Sequence, residues 1–349
     1  MAVKFSNSES NKTIEKGRIE FIDAIRGIAS LIVVLEHGLQ AWLPGYFAWS
    51  NAWVSFGRIG IVAFFMVSGY VVGVTLSRQT VRVFAIRRFW RLYPIYWIAT
   101  IFYVAVSLMT GEFNAEITLF VVLINLTMLQ GFIGTYSVLG VAWTLGNEIV
   151  FYVQSMVAKR FGMLAVSVWI GIGWLLVFGA AAAANLVLNT SVTALAPLML
   201  FSASFGFAIF LRDTAAGKQW IIYTVCALVV VPAFGWALNA HSEHGSTSFN
   251  LSYVGGVALF AAFYAVRNNA MPAWALKLGA MSYALYLVHT TVILAFEQIH
   301  MPAIPLVVIA TCISIALAWL AHLYIEKPFV ELGRRLSKPS EKVDKRLAR

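Results

Sequence analysis

Ten apolar segments of membrane-spanning length follow one another along this chain and leave little room for anything else. They read as 22–43, 54–77, 91–110, 138–158, 161–182, 193–211, 219–238, 250–266, 278–297 and 304–325. About 20 consecutive apolar residues cross a hydrocarbon core of about 30 Å, and only helices that satisfy their own backbone can do so repeatedly. The expected fold class is therefore all-α: a polytopic membrane helix bundle of about ten transmembrane helices. Of 349 residues, 60% are hydrophobic and only 11% charged, which excludes an ordinary soluble domain.

An eleventh apolar stretch, 117–133, decides the topology. If it spans, Lys159-Arg160, Arg212/Lys218 and Arg267/Lys277 face outward; if it is re-entrant or interfacial, they share the cytoplasmic side with Arg78–Arg91 and both termini. The second arrangement leaves the outer connections with Glu112, Glu116, His241, Glu243, His244 and His300 but no Lys or Arg, as the positive-inside rule asks. Ten spans with cytoplasmic termini are expected, with 1–20 an N-terminal segment, 21–330 the membrane domain and 331–349 a basic tail beside anionic lipid. Asn114, Asn125, Thr127, Gln130, Gly131, Gly134 and Tyr136 make 111–137 unsuited to lipid, so this insertion is expected to cap a site from the outer side.

The net charge of +10 sits in short loops and termini, so it reads as topology and not as nucleic-acid binding. Cys226 and Cys312 lie in apolar segments and read as small core residues. No removable signal peptide is expected in the polar first twenty residues; the first span is expected to serve as its own insertion signal.

Ionisable side chains inside spans are expensive and mark function. His37 lies roughly 22 Å into the first span, Glu148 roughly 15 Å into the fourth and His289 roughly 16 Å into the ninth, all in the middle third of the bilayer. Arg26 and His37, eleven residues apart, share a helix face about 16 Å along its axis, with Asp23 and Ser30 close to it. Thr144, Glu148, Tyr152 and Ser155 form a second polar stripe, and Ser282, Tyr286 and His289 a third. A carboxylate near an imidazole would hold its tautomer for general-base work, which gives Glu148 a role beside His37. Glu36 points about 100° away from His37 and is not its partner. Arg58 sits near the outer end of the second span and either snorkels or lines the site.

The loop between spans two and three concentrates Arg87, Arg88 and Arg91, a guanidinium cluster suited to a polyphosphate or to lipid headgroups. No Gly-x-Ser-x-Gly elbow is present, and Ser68-Gly69 reads as a small-residue helix contact. His241, Glu243 and His244 lack further ligands, so no metal is expected.

Five ordered motifs carry a family resemblance: Phe21-Ile22-Asp23-Ala24-Ile25-Arg26-Gly27 followed by His37; Gly60 to Tyr70, with Phe64-Phe65 and Ser68-Gly69; Arg87-Arg88 to Arg91 and Pro94; Trp143-Thr144-Leu145-Gly146-Asn147-Glu148 with Phe151-Tyr152; and Ser282 to His289 with Glu326-Lys327-Pro328-Phe329. Together they resemble the acyltransferase-3 family of bacterial integral-membrane O-acyltransferases, over roughly 18–335. Val62 stands where many members carry a polar residue, and no fused extracytoplasmic domain of the kind some members carry is expected. The resemblance implies transfer of an acyl group, most often acetyl, from acyl-coenzyme A to a hydroxyl of a cell-envelope carbohydrate or lipid-linked sugar, at the bacterial inner membrane. Arg87, Arg88 and Arg91 would hold the coenzyme A phosphates; His37 would act as base or take the acyl group first. Glu148, Arg26 and Asp23 would support His37, with Tyr152, Ser282, Tyr286, His289 and Arg58 lining the site. From the residues alone, a proton-coupled transporter or exporter of an envelope molecule is the second reading.

Overall fold

The computed structural model describes residues 20–114, 116–240 and 245–338. Glu243 and its two histidine neighbours, the N-terminal segment before Glu20 and the tail after Lys338 lie outside those residues. The described chain is helical, without a strand: α1 (Glu20–Trp42), α2 (Tyr46–Ala52), α3 (Phe56–Arg78), α4 (Val81–Thr110), α5 (Leu119–Asn125), α6 (Gln130–Ile133), α7 (Trp143–Arg160), α8 (Val166–Leu188), α9 (Leu195–Ala215), α10 (Gln219–Leu238), α11 (Ser246–Ala265), α12 (Ala273–Ala280), α13 (Ser282–Phe296) and α14 (Ala303–Leu336).

Seven of these, α3, α4, α8, α9, α10, α11 and α14, are long and apolar enough to cross a membrane, and an eighth results if α12 and α13, bent by 71° at Met281, form one broken span. The expected ten would also need α1 and α7. Both are long helices, but Arg26, Glu36, His37 and Gln40 in α1, and Glu148, Lys159 and Arg160 in α7, lower their hydropathy. The residues that suggest chemistry are the ones that remove the spanning signal.

The stretch 117–133 is not one helix. α5 has seven residues and reaches only about 10 Å, and Met128 turns the chain with a positive φ of 62°. At its centre polar atoms are satisfied by protein: the Asn125 amide donates to the carbonyls of Val121 and Tyr136 and accepts from the Val138 N–H, while Tyr96 and Trp97 of α4 donate to the carbonyls of Asn125 and Leu126. Where the chain leaves the helix, Asn125 and Met128 are buried against protein, the condition for tolerating such backbone among apolar surroundings.

Burial separates centre from periphery. In α9 the most apolar window is 78% buried, against 28% in α10. α8, α10 and α14 turn Leu176, Val187, Ile221, Val229, Val308 and Leu320 outward, the surface a lipid environment accepts. Both cysteines are free; Cys226 is half-buried against the core, as expected, whereas Cys312 is exposed at the periphery. At the centre α3 and α9 touch through glycine. A Cβ on Gly69 would stand 1.7 Å from the Ala203 carbonyl oxygen, and one on Gly206 1.8 Å from that of Met66. α1 and α12 meet the same way, with Gly279 against the Asp23 carbonyl. Small residues allow backbones this close, where dispersion contacts are densest.

Two π turns, Cys226–Val230 in α10 and His322–Glu326 in α14, each lie two residues before a proline, Pro232 and Pro328. Proline lacks the N–H that would bond one turn back, so the helix widens to use other donors. Beyond the second π turn, α14 packs on the start of α4, with Phe329 stacked on Trp90 at 5.8 Å. This brings Arg334 to the arginines of α4.

Candidate active site

α4 begins where Thr80 accepts the Val83 N–H, and its first turns present Arg87, Arg88 and Arg91. With Arg26, Arg78 and Arg334 they line a cavity of about 410 Å³ whose one carboxylate is Asp23. Arg87 donates through Nε to the Ser337 hydroxyl at 2.9 Å, and Arg88 lies over the rings of Phe84 and Tyr152. These contacts orient the guanidinium planes without neutralising them. A neighbouring cavity shares Asp23, Arg26, Arg91 and Arg334 and adds the bonded pair His322–Glu326, 2.8 Å apart.

Arg26, Arg88 and Arg91 also line a narrow cavity of about 60 Å³ that runs inward between α3, α4, α7 and α13. Glu148, Tyr152 and Thr144 face it from α7; Ile61, Phe64, Ser68 and Val71 face it from α3 at helical spacing. Glu148 accepts hydrogen bonds from the Ser68 hydroxyl at 3.2 Å and from the Tyr152 hydroxyl. Tyr286 lines its far end, donating to the Val141 carbonyl and exchanging a bond with Thr144 at 2.9 Å.

His37 does not line this cavity. It faces another, with Glu36, Gln40, Ser55, Arg58 and Trp143. Ile61 borders both, and Val33, Val141 and Tyr286 pack beside it as an apolar partition. The expected single chamber is thus two cavities separated by one layer of side chains.

The partnerships differ from the expected ones in the same way. Nδ1 of His37 lies 2.8 Å from Nε2 of His289, so the imidazole at position 37 is held by a second imidazole and not by Glu148. Ser282 donates to the Gly279 carbonyl at the break between α12 and α13 and lines neither cavity. Ser155 bonds the Phe151 carbonyl one turn back, so its stripe reaches the site only through Thr144, Glu148 and Tyr152. Arg58 is half-buried over the Phe249 ring, facing the His37 cavity. Ser68, read as a helix contact from its glycine neighbour, is a ligand of Glu148; its spacing from Phe64 and Ile61 was the available signal.

Glu36, next to His37 in sequence and lining the same cavity, is 2% exposed and bonds to other partners. It accepts from the Gln40 amide, the Tyr46 hydroxyl and the Phe56 N–H at 2.9–3.0 Å, tying α1, α2 and the start of α3 together. Burial, with Glu36 as acceptor, pushes the Tyr46 phenol up, so it remains a donor. Among the described residues no group of three His, Cys, Asp or Glu side chains is placed to hold a metal.

The arrangement supplies a cavity lined by six guanidinium groups, a narrow cavity with one half-buried carboxylate, and an imidazole beyond an apolar partition. A family model described as an acyltransferase domain matches residues 19–323, almost all of the described chain. No curated protein and no solved structure matches.

Proposed function

This chain belongs to the acyltransferase-3 family, and from that premise we propose that it moves an acyl group, acetyl in the simplest case, from acyl-coenzyme A to a hydroxyl of a cell-envelope carbohydrate or lipid-linked sugar. The observation that carries the proposal is that the six-arginine cavity and the narrow cavity adjoin, sharing Arg26, Arg88 and Arg91 in their walls. A donor of this kind has a polyphosphate end and a slender thioester arm. Guanidinium groups suit the first, and a passage of about 60 Å³ between apolar walls suits the second.

In this reading the phosphates rest among Arg87, Arg88, Arg91 and their neighbours at the cytoplasmic side of an inner membrane. The arm passes Glu148 and Tyr152 to the partition at Ile61. The acceptor enters the cavity of His37 and Arg58 from the opposite side. When the side chains at Ile61 part and the two ends meet, His37 takes the proton from the acceptor hydroxyl as its oxygen attacks the thioester carbonyl. The carbon–sulfur bond then breaks, and the departing thiolate receives that proton. Glu148, bonded to Ser68 and Tyr152, keeps Tyr152 against Arg88.

The test is transfer of labelled acetyl from acetyl-coenzyme A in membranes containing wild-type or His37→Ala protein, alongside the acylation of envelope glycans with and without the chain. Transfer should require both the protein and His37. Undiminished transfer by an inserted His37→Ala protein would remove the assignment. Movement of an unmodified envelope molecule would favour transport instead.

A further inference from the structure

His289 is fully buried and lines neither of the two cavities that form the candidate site. Its side chain has two polar contacts: Nδ1 lies 3.1 Å from the Leu285 carbonyl oxygen one turn back, and Nε2 lies 2.8 Å from Nδ1 of His37. A histidine costs more to bury than an apolar residue of its size, and this one is out of reach of a substrate. Its polar partners are its own helix and His37 alone.

The hydrogen-bond donors can be assigned from chemistry alone. A carbonyl oxygen only accepts, so Nδ1 of His289 carries a proton and donates to Leu285. A second proton on Nε2 would make a buried cation without a bonded carboxylate, because Glu36 is taken up by Gln40, Tyr46 and Phe56, and Glu148 by Ser68 and Tyr152. Nε2 of His289 is therefore a lone pair, and the shared proton sits on Nδ1 of His37. The two rings are within 13° of parallel with centroids 5.1 Å apart, the separation of an edge-to-edge approach that points the lone pair along the N–H. Nε2 of His37 is left unprotonated, on the ring that borders the open cavity.

We propose that His289 is a positioning residue that fixes His37 in its Nδ1–H tautomer and in one orientation, so that Nε2 is the atom that takes the acceptor's proton. The Leu285 carbonyl sets the polarity of the relay by claiming the other nitrogen of His289. A carboxylate in this place would stabilise the imidazolium strongly; a neutral imidazole accepts the same hydrogen bond while placing no charge among apolar helices. The inference rests on His37 being the base.

The experiment measures acetyl transfer from acetyl-coenzyme A by inserted His289→Leu and His289→Gln proteins, with His37→Ala in parallel. Leucine fills the space but accepts nothing, and turnover should fall roughly 10–1000-fold with KM for acetyl-coenzyme A within about twofold of wild type. Glutamine can present its amide oxygen to the His37 N–H, and should restore turnover to within about tenfold of wild type. Wild-type turnover in the leucine variant would overturn the proposal, as would a glutamine variant no better than leucine. If the leucine variant fails to insert, glutamine decides alone: activity near wild type is expected, and a fall to the level of His37→Ala overturns. An active His37→Ala protein would instead sink the reading of His37 as the base.

Discussion

The arginine cavity and the His37 cavity are both polar hollows at the ends of the same few helices, yet they are built on opposite principles. The first collects six guanidinium groups around Asp23, redundantly, with Arg88 steadied by ring faces and Arg87 by a hydroxyl. The second holds one imidazole by one directed hydrogen bond and fastens its neighbour Glu36 with three. Charge summed over many groups tolerates the loss of a member and weakens with salt. A proton acceptor defined by tautomer and direction does not tolerate its loss. The comparison predicts that donor binding is distributed and the chemistry is concentrated.

The sharpest way to break that comparison is His37→Ala, which should lower turnover ~100–10,000-fold while leaving KM for acetyl-coenzyme A near its wild-type value. Steady-state kinetics in proteoliposomes would show it; a variant that loses donor affinity instead would place His37 among the binding groups. Next, Arg87→Ala combined with Arg91→Ala should raise that KM roughly 10–100-fold, as the loss of charge-assisted hydrogen bonds implies, with turnover at saturation changed far less. Added salt should raise the wild-type KM in the same direction, and a KM indifferent to both would refute the anion-binding mouth.

The partition between the cavities gives a third prediction. Ile61→Trp, overfilling a site bordered by both, should reduce turnover without altering donor affinity. Equal turnover would mean that the acyl group takes another path. The smallest effect belongs to Arg334→Ala: this side chain is 64% exposed and already near Glu331, so its loss should change KM by roughly 2–5-fold. A larger change would make the cavity less distributed than its lining suggests.

Much of this was legible in the chain itself, for reasons that can be named. Arg87, Arg88 and Arg91 are close in sequence and share one helix end, so local spacing already gathers them. Glu148 and Tyr152 are at i, i+4 and meet as helical geometry requires. Depth placed His37 and His289 in the same layer, but nothing in either segment says that two helices 252 positions apart put these rings edge to edge. Glu148 reads equally well as the partner of His37, because a carboxylate near an imidazole is the commoner chemistry; its capture by Ser68 depends on how α3 packs, set by Gly69 and Gly206 against α9. The partition was hidden for the same reason. Val33, Ile61, Val141 and Tyr286 come from four separate stretches, and each looks like ordinary core by itself.

The central claim, binding at the arginine end and proton transfer at His37, is tested most directly by measuring turnover and donor affinity separately in two inserted variants, His37→Ala and Arg87→Ala/Arg91→Ala. The account predicts a crossed result: the first loses turnover and keeps acetyl-coenzyme A binding, the second loses binding and keeps turnover at saturation. Parallel losses of both quantities in both variants would contradict it.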